Sequence, residues 1–416
     1  MGDELFRTAS KLSAPARRGR RRSALGILAA LVSGGLALVV PAAPPAAGVI
    51  GPASGPATGP VVPFYQPVTM AAVTLADPGV VVTPDQDVPD PYVIETNGVY
   101  VMFSSQDGYF SPNVPVRVSY HLTDWTTPPI DAMPTLPSWA QPGFTWSPDV
   151  LEVHGHYVMW FNAALAASGT AADKCIGVAT STSVVGPYRS RSAHPLVCQL
   201  DHLGSIDPRA FVDPSGHLWL VWKSDDNADL TAQTHTTIWV QRLSDNGLAL
   251  LGQPVALMTA DLPWEGRIVE SPDMVYAAGH YWLFFSGNWF NEPDYGMGVA
   301  ECASVRGPCE PTTLGPWFSS NAQGAGPGEE SLFFGHGRWW MFYAPFAVDY
   351  QSVTPRPAAV VRLVFSAEGP RVVAPGTSAW TALDRVKTPK PRTEVAAARG
   401  RCRHRCRTPA AGRFHR

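Results

Sequence analysis

Five acidic residues recur along the chain at the start of short apolar segments, and their side chains are the first candidates for chemistry. They are Asp90, Asp149, Asp207, Glu270 and Glu330. Carboxyl groups that lie close together repel one another, so some of them must bind protons, cations or the hydroxyl groups of a substrate. Two carboxyl groups of different proton affinity are able to protonate a leaving oxygen and to activate a water molecule. The sequence therefore indicates acid–base chemistry, provided that the fold brings these residues together.

Each acid opens a repeated unit, which continues with a short apolar strand, a glycine turn and a second, aromatic strand. The turn glycines lie 57, 61, 63 and 58 residues apart; they are Gly98, Gly155, Gly216, Gly279 and Gly337. A period near sixty with this content is typical of a β-propeller, and each unit is long enough for a four-stranded blade. The aromatic runs are too continuous for half-exposed strands and fit strands sandwiched between blades. We therefore predict an all-β, five-bladed propeller whose acids converge at one rim of a central funnel.

The two ends of the chain differ in composition from the repeated region. Residues 1–48 combine an arginine run, an uncharged stretch and small residues, which is typical of an export signal, with a retained anchor as the alternative. Residues 49–72 are rich in Pro, Ala and Gly and predict a linker, whereas residues 385–416 predict a disordered basic tail. The propeller is predicted to occupy residues 73–384. We expect a secreted protein that uses the general secretory or the twin-arginine route.

Charge restricts the partners of the predicted propeller. Residues 49–384 hold 13 of the 31 basic residues of the chain but 31 of its 34 acidic ones. Such a body repels nucleic acid and anionic membrane surfaces, whereas a neutral sugar or a bound cation is compatible with it. We expect a monomer that binds no nucleic acid and meets a membrane only through an N-terminal anchor, if one is retained.

The six cysteines indicate disulfides, because their number is even and the chain carries an export signal. We predict the pairs Cys175–Cys198 and Cys302–Cys309. Cys402 and Cys406 lie among arginines in the tail and receive no assignment. A zinc site is disfavoured, because the chain has no CxxC pair.

Three of the acids lie in motifs that read Asp87-Val-Pro-Asp90-Pro-Tyr, Ser205-Ile-Asp207-Pro-Arg and Glu270-Ser-Pro-Asp-Met-Val. These motifs, one in each of three blades, resemble those of glycoside hydrolase family 43, and the resemblance extends over about residues 80–345. It implies a five-bladed propeller in which Asp90 is an ionised general base, Glu270 is a protonated general acid, and Asp207 orients the acid and tunes its pKa. It also implies hydrolysis with inversion of arabinose- or xylose-containing cell-wall polysaccharides, by an α-L-arabinofuranosidase or a β-xylosidase.

Five further residues are candidates for substrate binding, and a structural role is the alternative for each. Tryptophan rings stack on sugars but also fill protein cores. An aspartate either binds sugar hydroxyls or only hydrogen-bonds the backbone, and an arginine either binds substrate or pairs with an acid. The candidates are Trp146, Asp149, Trp264, Trp289 and Arg209.

The chain departs from the family at the fifth blade, where many members have a histidine that faces an axial calcium ion or water cluster. The corresponding positions read Gly326-Pro-Gly328-Glu329-Glu330 and Tyr343-Ala344, without a histidine. Since carboxylates suit calcium, Glu330 or its neighbour Glu329 is the candidate ligand if an axial Ca²⁺ is bound. We expect no required cofactor.

Three other interpretations of the same pattern stay open. One is another five-bladed carbohydrate enzyme, of the fructan hydrolase or mannoside phosphorylase type. A second is a non-catalytic sugar-binding propeller, which the presence of all three acids disfavours. A third is a scaffold for protein partners, which predicts no aromatic-lined pocket of acids.

Overall fold

The computed structural model describes residues 80–83, 86–106, 111–169, 172–321, 324–346 and 355–373. These residues form nineteen strands in five antiparallel sheets. The first strands of the sheets contact one another in a closed ring, so the sheets are the blades of a propeller. The predicted all-β, five-bladed architecture is confirmed. The predicted signal segment, linker and tail lie outside the described residues.

Blades 1 and 2 contain three strands each, with the innermost strand first: β2 (Tyr92–Thr96), β3 (Val99–Phe103) and β4 (Val116–Ser119), then β5 (Ala140–Val153), β6 (His156–Leu165) and β7 (Lys174–Ser181). Blades 3 and 4 contain four strands each: β8 (Ser205–Val212), β9 (Leu218–Ser224), β10 (Thr237–Leu243) and β11 (Leu250–Thr259), then β12 (Val269–Ala277), β13 (His280–Gly287), β14 (Gly296–Cys302) and β15 (Cys309–Pro311).

Blade 5 is built from both ends of the described chain. Its strands are β16 (Ala325–Gly335), β17 (Arg338–Phe346), β18 (Ala359–Ser366) and β19 (Gly369–Val373), and β1 (Val80–Val81) pairs with β18. In that pairing Val80 lies opposite Val360. The N-terminal strand therefore closes the ring by hydrogen bonding to the last blade.

The fourth strand that the repeat length predicts is absent from blades 1 and 2 among the described residues. Isolated bridges take its place, among them Val118 with Thr126 in blade 1 and Thr180 with Arg189 in blade 2. The segments beyond these bridges contain prolines, which cannot donate a main-chain hydrogen bond to a neighbouring strand.

The hydrophobic core is divided among the five interfaces between blades. Five clusters of buried side chains each combine residues of two neighbouring blades. The second strand of each blade contains at least one fully buried aromatic residue; these include Phe103, Trp160, Trp222, Phe284 and Phe342. The prediction that the aromatic strands are sandwiched between blades is confirmed.

Local features agree with the sequence as well. All five predicted turn glycines have positive φ, between 72° and 93°. Both predicted disulfides are present, Cys175–Cys198 and Cys302–Cys309. The helices within the described ranges are single 3-10 turns, so this part of the chain contains no helix that could span a membrane.

Candidate active site

The innermost strands of blades 2 to 5 each carry a β-bulge, and blade 1 has an equivalent two-residue irregularity directly before β2. In blade 3, Ile206 pairs with Lys223 and Arg209 pairs with Val221, so two residues of β8 face one residue of β9. The same irregularity occurs in the other blades, and the bulged pairs are Asp90-Pro91, Ser147-Pro148, Asp207-Pro208, Ser271-Pro272 and Glu329-Glu330. Bulges re-aim side chains and are frequent next to active sites.

The first residue of each bulge has a left-handed backbone. The φ values of these five residues lie between 48° and 58°, and none of the residues is glycine. Each such conformation costs on the order of 1 kcal/mol and persists only where surrounding contacts enforce it. Five strained residues at equivalent positions therefore define one structurally enforced rim.

The contacts that enforce this rim form a closed circle of hydrogen bonds. The main-chain N–H of each first bulge residue donates to a side chain of the preceding blade. The five bonds are Asp90 to Glu329 Oε2 (2.9 Å), Ser147 to Ser105 Oγ (2.7 Å), Asp207 to Asn162 Oδ1 (3.3 Å), Ser271 to Asp207 Oδ2 (3.0 Å) and Glu329 to Ser286 Oγ (2.9 Å).

Two serines connect Asp90 with Asp207. The Ser105 hydroxyl donates to Asp90 Oδ2, and the Ser147 hydroxyl donates to Asp207 Oδ1 over 2.8 Å. Burial raises the pKa of Asp90 well above its ordinary range, and the carboxylates of Glu329 and Asp207 raise it further. The bond from Ser105 opposes this rise because it favours the ionised form. The role of Asp90 as an ionised general base stays a prediction, and these groups act on its proton affinity in opposite directions.

Asp207 lies between the Asp90 side and the Glu270 side of the rim. Its buried carboxyl group accepts hydrogen bonds from Ser147 and from the main chain of Ser271. Burial raises the pKa of Asp207, the Lys223 ammonium lowers it, and the Glu270 carboxylate raises it again. A change of charge on Glu270 therefore alters the proton affinity of Asp207.

Glu270 lies one residue before the bulge of blade 4, opposite Ser286, whereas Ser271 is the bulge residue. Glu270 Oε2 is 2.9 Å from Lys223 Nζ, and Oε1 accepts a 2.7 Å hydrogen bond from the Tyr295 hydroxyl. An ammonium group only donates, whereas a phenol both donates and accepts. Oε1 is therefore the oxygen that is able to carry a proton.

Lys223 is a buried cation that the sequence analysis did not assign. Although burial acts to lower it, the pKa of Lys223 is raised by the carboxylates of Glu270, Asp225 and Asp207. The side chain is 1% exposed, so its charge acts without much screening by solvent.

A second buried cation, Arg356, lies on the Asp90 side. Its Nη1 pairs with Glu329 Oε1, and its Nη2 donates to the Ala344 carbonyl over 2.8 Å. Burial raises the pKa of Glu329, and the Arg356 guanidinium opposes that rise.

A second tier of side chains lies along the innermost strands, at the residue that directly follows each bulged pair. It includes the predicted substrate ligands Asp149 and Arg209. Asp149 Oδ2 accepts a 2.8 Å bond from the Ala210 main chain, and Arg209 Nη1 donates to the Pro148 carbonyl over 3.4 Å. Burial raises the pKa of Asp149 to about 7, against the lowering effect of Arg209. Asp149 therefore makes a hydrogen bond to the backbone, which was the alternative to sugar binding in the sequence analysis. Asp149 and Arg209 both lie below the rim.

The three predicted tryptophans occupy different surroundings. Trp146 precedes Ser147 on β5, is partly exposed, and has Lys174 Nζ 5.1 Å from its ring. Trp289 is partly exposed in the segment after β13. Trp264 stacks on Phe285 with ring centroids 5.9 Å apart and packs against a core cluster between blades 3 and 4. Contact of these rings with a substrate stays a prediction.

The fifth-blade acids do not fit an axial calcium site. Glu329 uses one oxygen for Asp90 and the other for Arg356. Glu330 Oε2 accepts a 2.6 Å bond from Ser286, and its buried Oε1 has no partner. Within the described ranges, no three His, Cys, Asp or Glu side chains are grouped so that they could hold a metal. Among the described residues, Glu330 therefore belongs to no group of three such side chains that would share a calcium ion.

Comparison with known proteins identifies the class to which this fold and site belong. Residues 81–370 match the family model described as Glycosyl hydrolases family 43, and the chain belongs to that family.

Two curated relatives are arabinanases by name. The "Extracellular endo-alpha-(1->5)-L-arabinanase 2" of Bacillus subtilis (strain 168) is 29% identical over 161 residues, which are 32% of each chain. The "Extracellular endo-alpha-(1->5)-L-arabinanase" of Thermotoga petrophila is 26% identical over 254 residues, 53% of this chain and 50% of that protein. The chain thus spans between a third and a half of the length of these relatives.

Solved structures share the fold over most of their length. A thermostable family-43 glycoside hydrolase aligns with a TM-score of 0.62 and 24% identity, covering 70% of this chain and 94% of that one. An exo-1,5-α-L-arabinanase from a bovine ruminal metagenomic library aligns with a TM-score of 0.56 and 20% identity, covering 70% and 98%. At these identities the likeness establishes the propeller fold alone.

Proposed function

We propose that the protein hydrolyses O-glycosidic bonds in arabinose- or xylose-containing polysaccharides with inversion, with Asp90 as general base, Glu270 as general acid and Asp207 as the residue that orients and tunes the acid. The observation that carries this proposal is the continuous network at the rim. It runs from Asp90 through Ser105 and Ser147 to Asp207, and from Asp207 to Ser271, the neighbour of Glu270.

The acid step uses the asymmetry around Glu270. Lys223 occupies Oε2, so the proton resides on Oε1 and is delivered to the glycosidic oxygen as the C–O bond breaks. Tyr295, which contacts Oε1 in the free site, keeps that oxygen oriented until the substrate oxygen takes its place. The negative charge left on Glu270 is then stabilised by the Lys223 ammonium.

The base step uses Asp90. Ser105 occupies Oδ2, which leaves Oδ1 to accept a proton from the water molecule that attacks the anomeric carbon from the opposite face. Ionised Asp90 is required for this step, and the Ser105 bond favours that form. After the reaction Asp90 carries the proton and Glu270 is ionised, so one proton must be exchanged with solvent before the next turnover.

The substrate class is supported by the names of the relatives and by charge. The curated relatives are named endo-α-(1→5)-L-arabinanases, which makes α-1,5-linked arabinan the first substrate to test. A structural neighbour named endo-1,4-β-xylanase makes xylan the second. The acidic body is compatible with these neutral polymers. Because the relatives are named extracellular, we further propose that the protein acts outside the cell.

The test compares wild-type protein with Glu270→Gln and Asp90→Asn on debranched arabinan and xylan. We expect each variant to lose at least about 100-fold in kcat, and proton NMR of fresh product to show the inverted anomer. Glu310→Gln, the same change at an exposed position in β15, is the matched control and is expected to keep full activity. Undiminished hydrolysis by Glu270→Gln would contradict the assigned roles, and no hydrolysis by the wild type would favour a sugar-binding propeller.

A further inference from the structure

Blade 5 differs from the other blades at two equivalent positions. The second bulge residue is proline in blades 1 to 4 and Glu330 in blade 5. At the end of the second strand or just after it, Ser105, Asn162 and Ser286 supply side-chain acceptors for the rim, whereas the equivalent residue of blade 5 is Ala344. The last blade therefore lacks the small polar side chain that completes the rim in three others.

Arg356 occupies the space next to Ala344. Its Nη2 donates to the Ala344 carbonyl over 2.8 Å, and its Nη1 pairs with Glu329 Oε1. The guanidinium carbon lies 4.7 Å from the Phe346 ring centroid and 5.7 Å from that of Tyr295. The residue is 3% exposed, so both the charge and the geometry of this group are fixed by the protein.

The main chain of Arg356 is held by the segment that leads to Asp90. Its N–H donates to Asp87 Oδ1 over 2.8 Å, and its carbonyl accepts a 2.8 Å bond from Val88. Glu329, the partner of the guanidinium, accepts the Asp90 N–H with its other oxygen. Arg356 therefore contacts the sequence around Asp90 from two directions.

We propose that Arg356 is the resident cation of the Asp90 side of the site, and that the Glu329–Arg356 pair positions Asp90 without a divalent metal. This inference rests on the proposed function and assigns the pair as positioning residues. Both oxygens of Glu329 are used, and a guanidinium fixes a carboxylate through directed hydrogen bonds. A buried carboxylate beside Asp90 requires a nearby positive charge, and Arg356 supplies it from within the chain.

The first test is chelation of the full-length protein. Protein dialysed against EDTA is compared with the same sample after addition of calcium, by the rate on arabinan and by the melting temperature. We expect both quantities to be unchanged by either treatment. Activity that is lost on chelation and restored by calcium would overturn the inference.

The second test removes the pair by substitution. We expect Arg356→Met to lower kcat at least about tenfold with little change in KM, because a base displaced by a fraction of an ångström is misaligned for water attack. Arg356→Lys keeps the charge and should recover part of kcat, which a role in packing alone would not predict. Arg362→Met, a partly buried arginine of β18 with no acidic partner among its described contacts, should keep the wild-type kcat.

If Arg356→Met does not fold, Glu329→Gln carries the test, since it keeps an acceptor for Asp90 but removes the ion pair; a wild-type kcat in the folded variant would overturn the proposal. If the wild type hydrolyses none of the glycans, the proposed function fails by itself. The melting temperature then decides: a rise when calcium is added to chelated protein overturns the inference, and an unchanged value supports it.

Discussion

At the scale of single residues, Glu270 receives hydrogen bonds from two side chains of different chemical capacity. Lys223 is a permanent donor to Oε2, and Tyr295 is a donor to Oε1 that is also able to accept. This asymmetry gives the two oxygens different roles, one facing a fixed charge and one able to exchange a proton. Asp90 has a similar asymmetry, since only Oδ2 faces the Ser105 hydroxyl.

Tyr295→Phe tests the role of the phenol at Glu270. We expect kcat to fall about tenfold, because Oε1 loses the group that orients it. Tyr188→Phe is the matched control: Tyr188 is equally buried, and its hydroxyl donates over 2.8 Å to the Val184 carbonyl, away from the site. The control should lose about 1 kcal/mol of stability but keep kcat. An equal loss of kcat in both variants would assign the effect to packing.

Ser105→Ala tests the proton affinity of Asp90. The Ser105 bond lowers the pKa of Asp90, so its removal should raise that pKa and move the acidic limb of the kcat/KM profile to higher pH. Ser104→Ala is the control, because Ser104 is equally buried but accepts a bond from Arg117 instead. The measurement is kcat/KM as a function of pH between about 4 and 8 for the wild type and both variants. A limb that stays in place in Ser105→Ala would show that Asp90 does not govern it.

At the scale of the strand, the β-bulge decides which residues meet at the rim. The repeated unit predicted the blade order, the turn glycines and the convergence of the acids. It did not predict the bulge, because a two-against-one register leaves no signature in an apolar pattern. The unit therefore aligned Glu270 with Asp90, whereas the structural equivalent of Asp90 in blade 4 is Ser271.

The bulge also explains the fifth blade, where the repeated unit is displaced by one residue in the opposite direction. The repeated unit predicts Glu330 as its first residue, whereas the rim residue is Glu329 and Glu330 occupies the position of a proline. Lys223, Tyr295 and Arg356 were missed for another reason. They reach the site from second strands and connecting segments, and their contacts depend on how blades pack rather than on local sequence.

Gly328→Ala tests how β16 makes room for Tyr295. A Cβ at Gly328 would collide with the Tyr295 ring. Because the φ of Gly328 is not in the left-handed region, this collision is the only expected cause of a loss of stability. We expect a loss of about 1–3 kcal/mol in stability and a lower kcat, like that of Tyr295→Phe. A Cβ at Gly315 would have no atom within 4 Å, so Gly315→Ala is the control and should change neither stability nor kcat. Full activity in Gly328→Ala would show that the ring position does not matter.

At the scale of the whole molecule, the propeller concentrates buried acids around its axis. Below the rim lie Asp149, Asp273 and Glu330, with Arg209 as the cation that acts on all three. Burial raises their pKa values to about 7, about 6 and about 8 respectively. Five innermost strands meet there, so these side chains face other blades rather than water. The charge state of the axis therefore contributes to the stability of the closed ring.

The stability of the protein should fall as pH rises from about 4 to about 8. An acid whose folded-state pKa is raised binds its proton more tightly in the native state, so its contribution is full below the unfolded pKa and is lost as pH rises through the folded one. Denaturant unfolding at pH 5 and pH 8 measures the loss.

Asp149→Asn, which keeps an acceptor for the Ala210 N–H, should lose less stability than the wild type over this interval. Asp229→Asn is the control, because Asp229 is exposed and its pKa is lowered, so it titrates below the interval. If stability falls with pH as steeply in Asp149→Asn as in the wild type, this carboxyl group does not take up its proton on folding. The pH dependence would then have to arise from the other buried acids whose pKa values are raised, which are Asp90, Asp207, Asp273, Glu329 and Glu330.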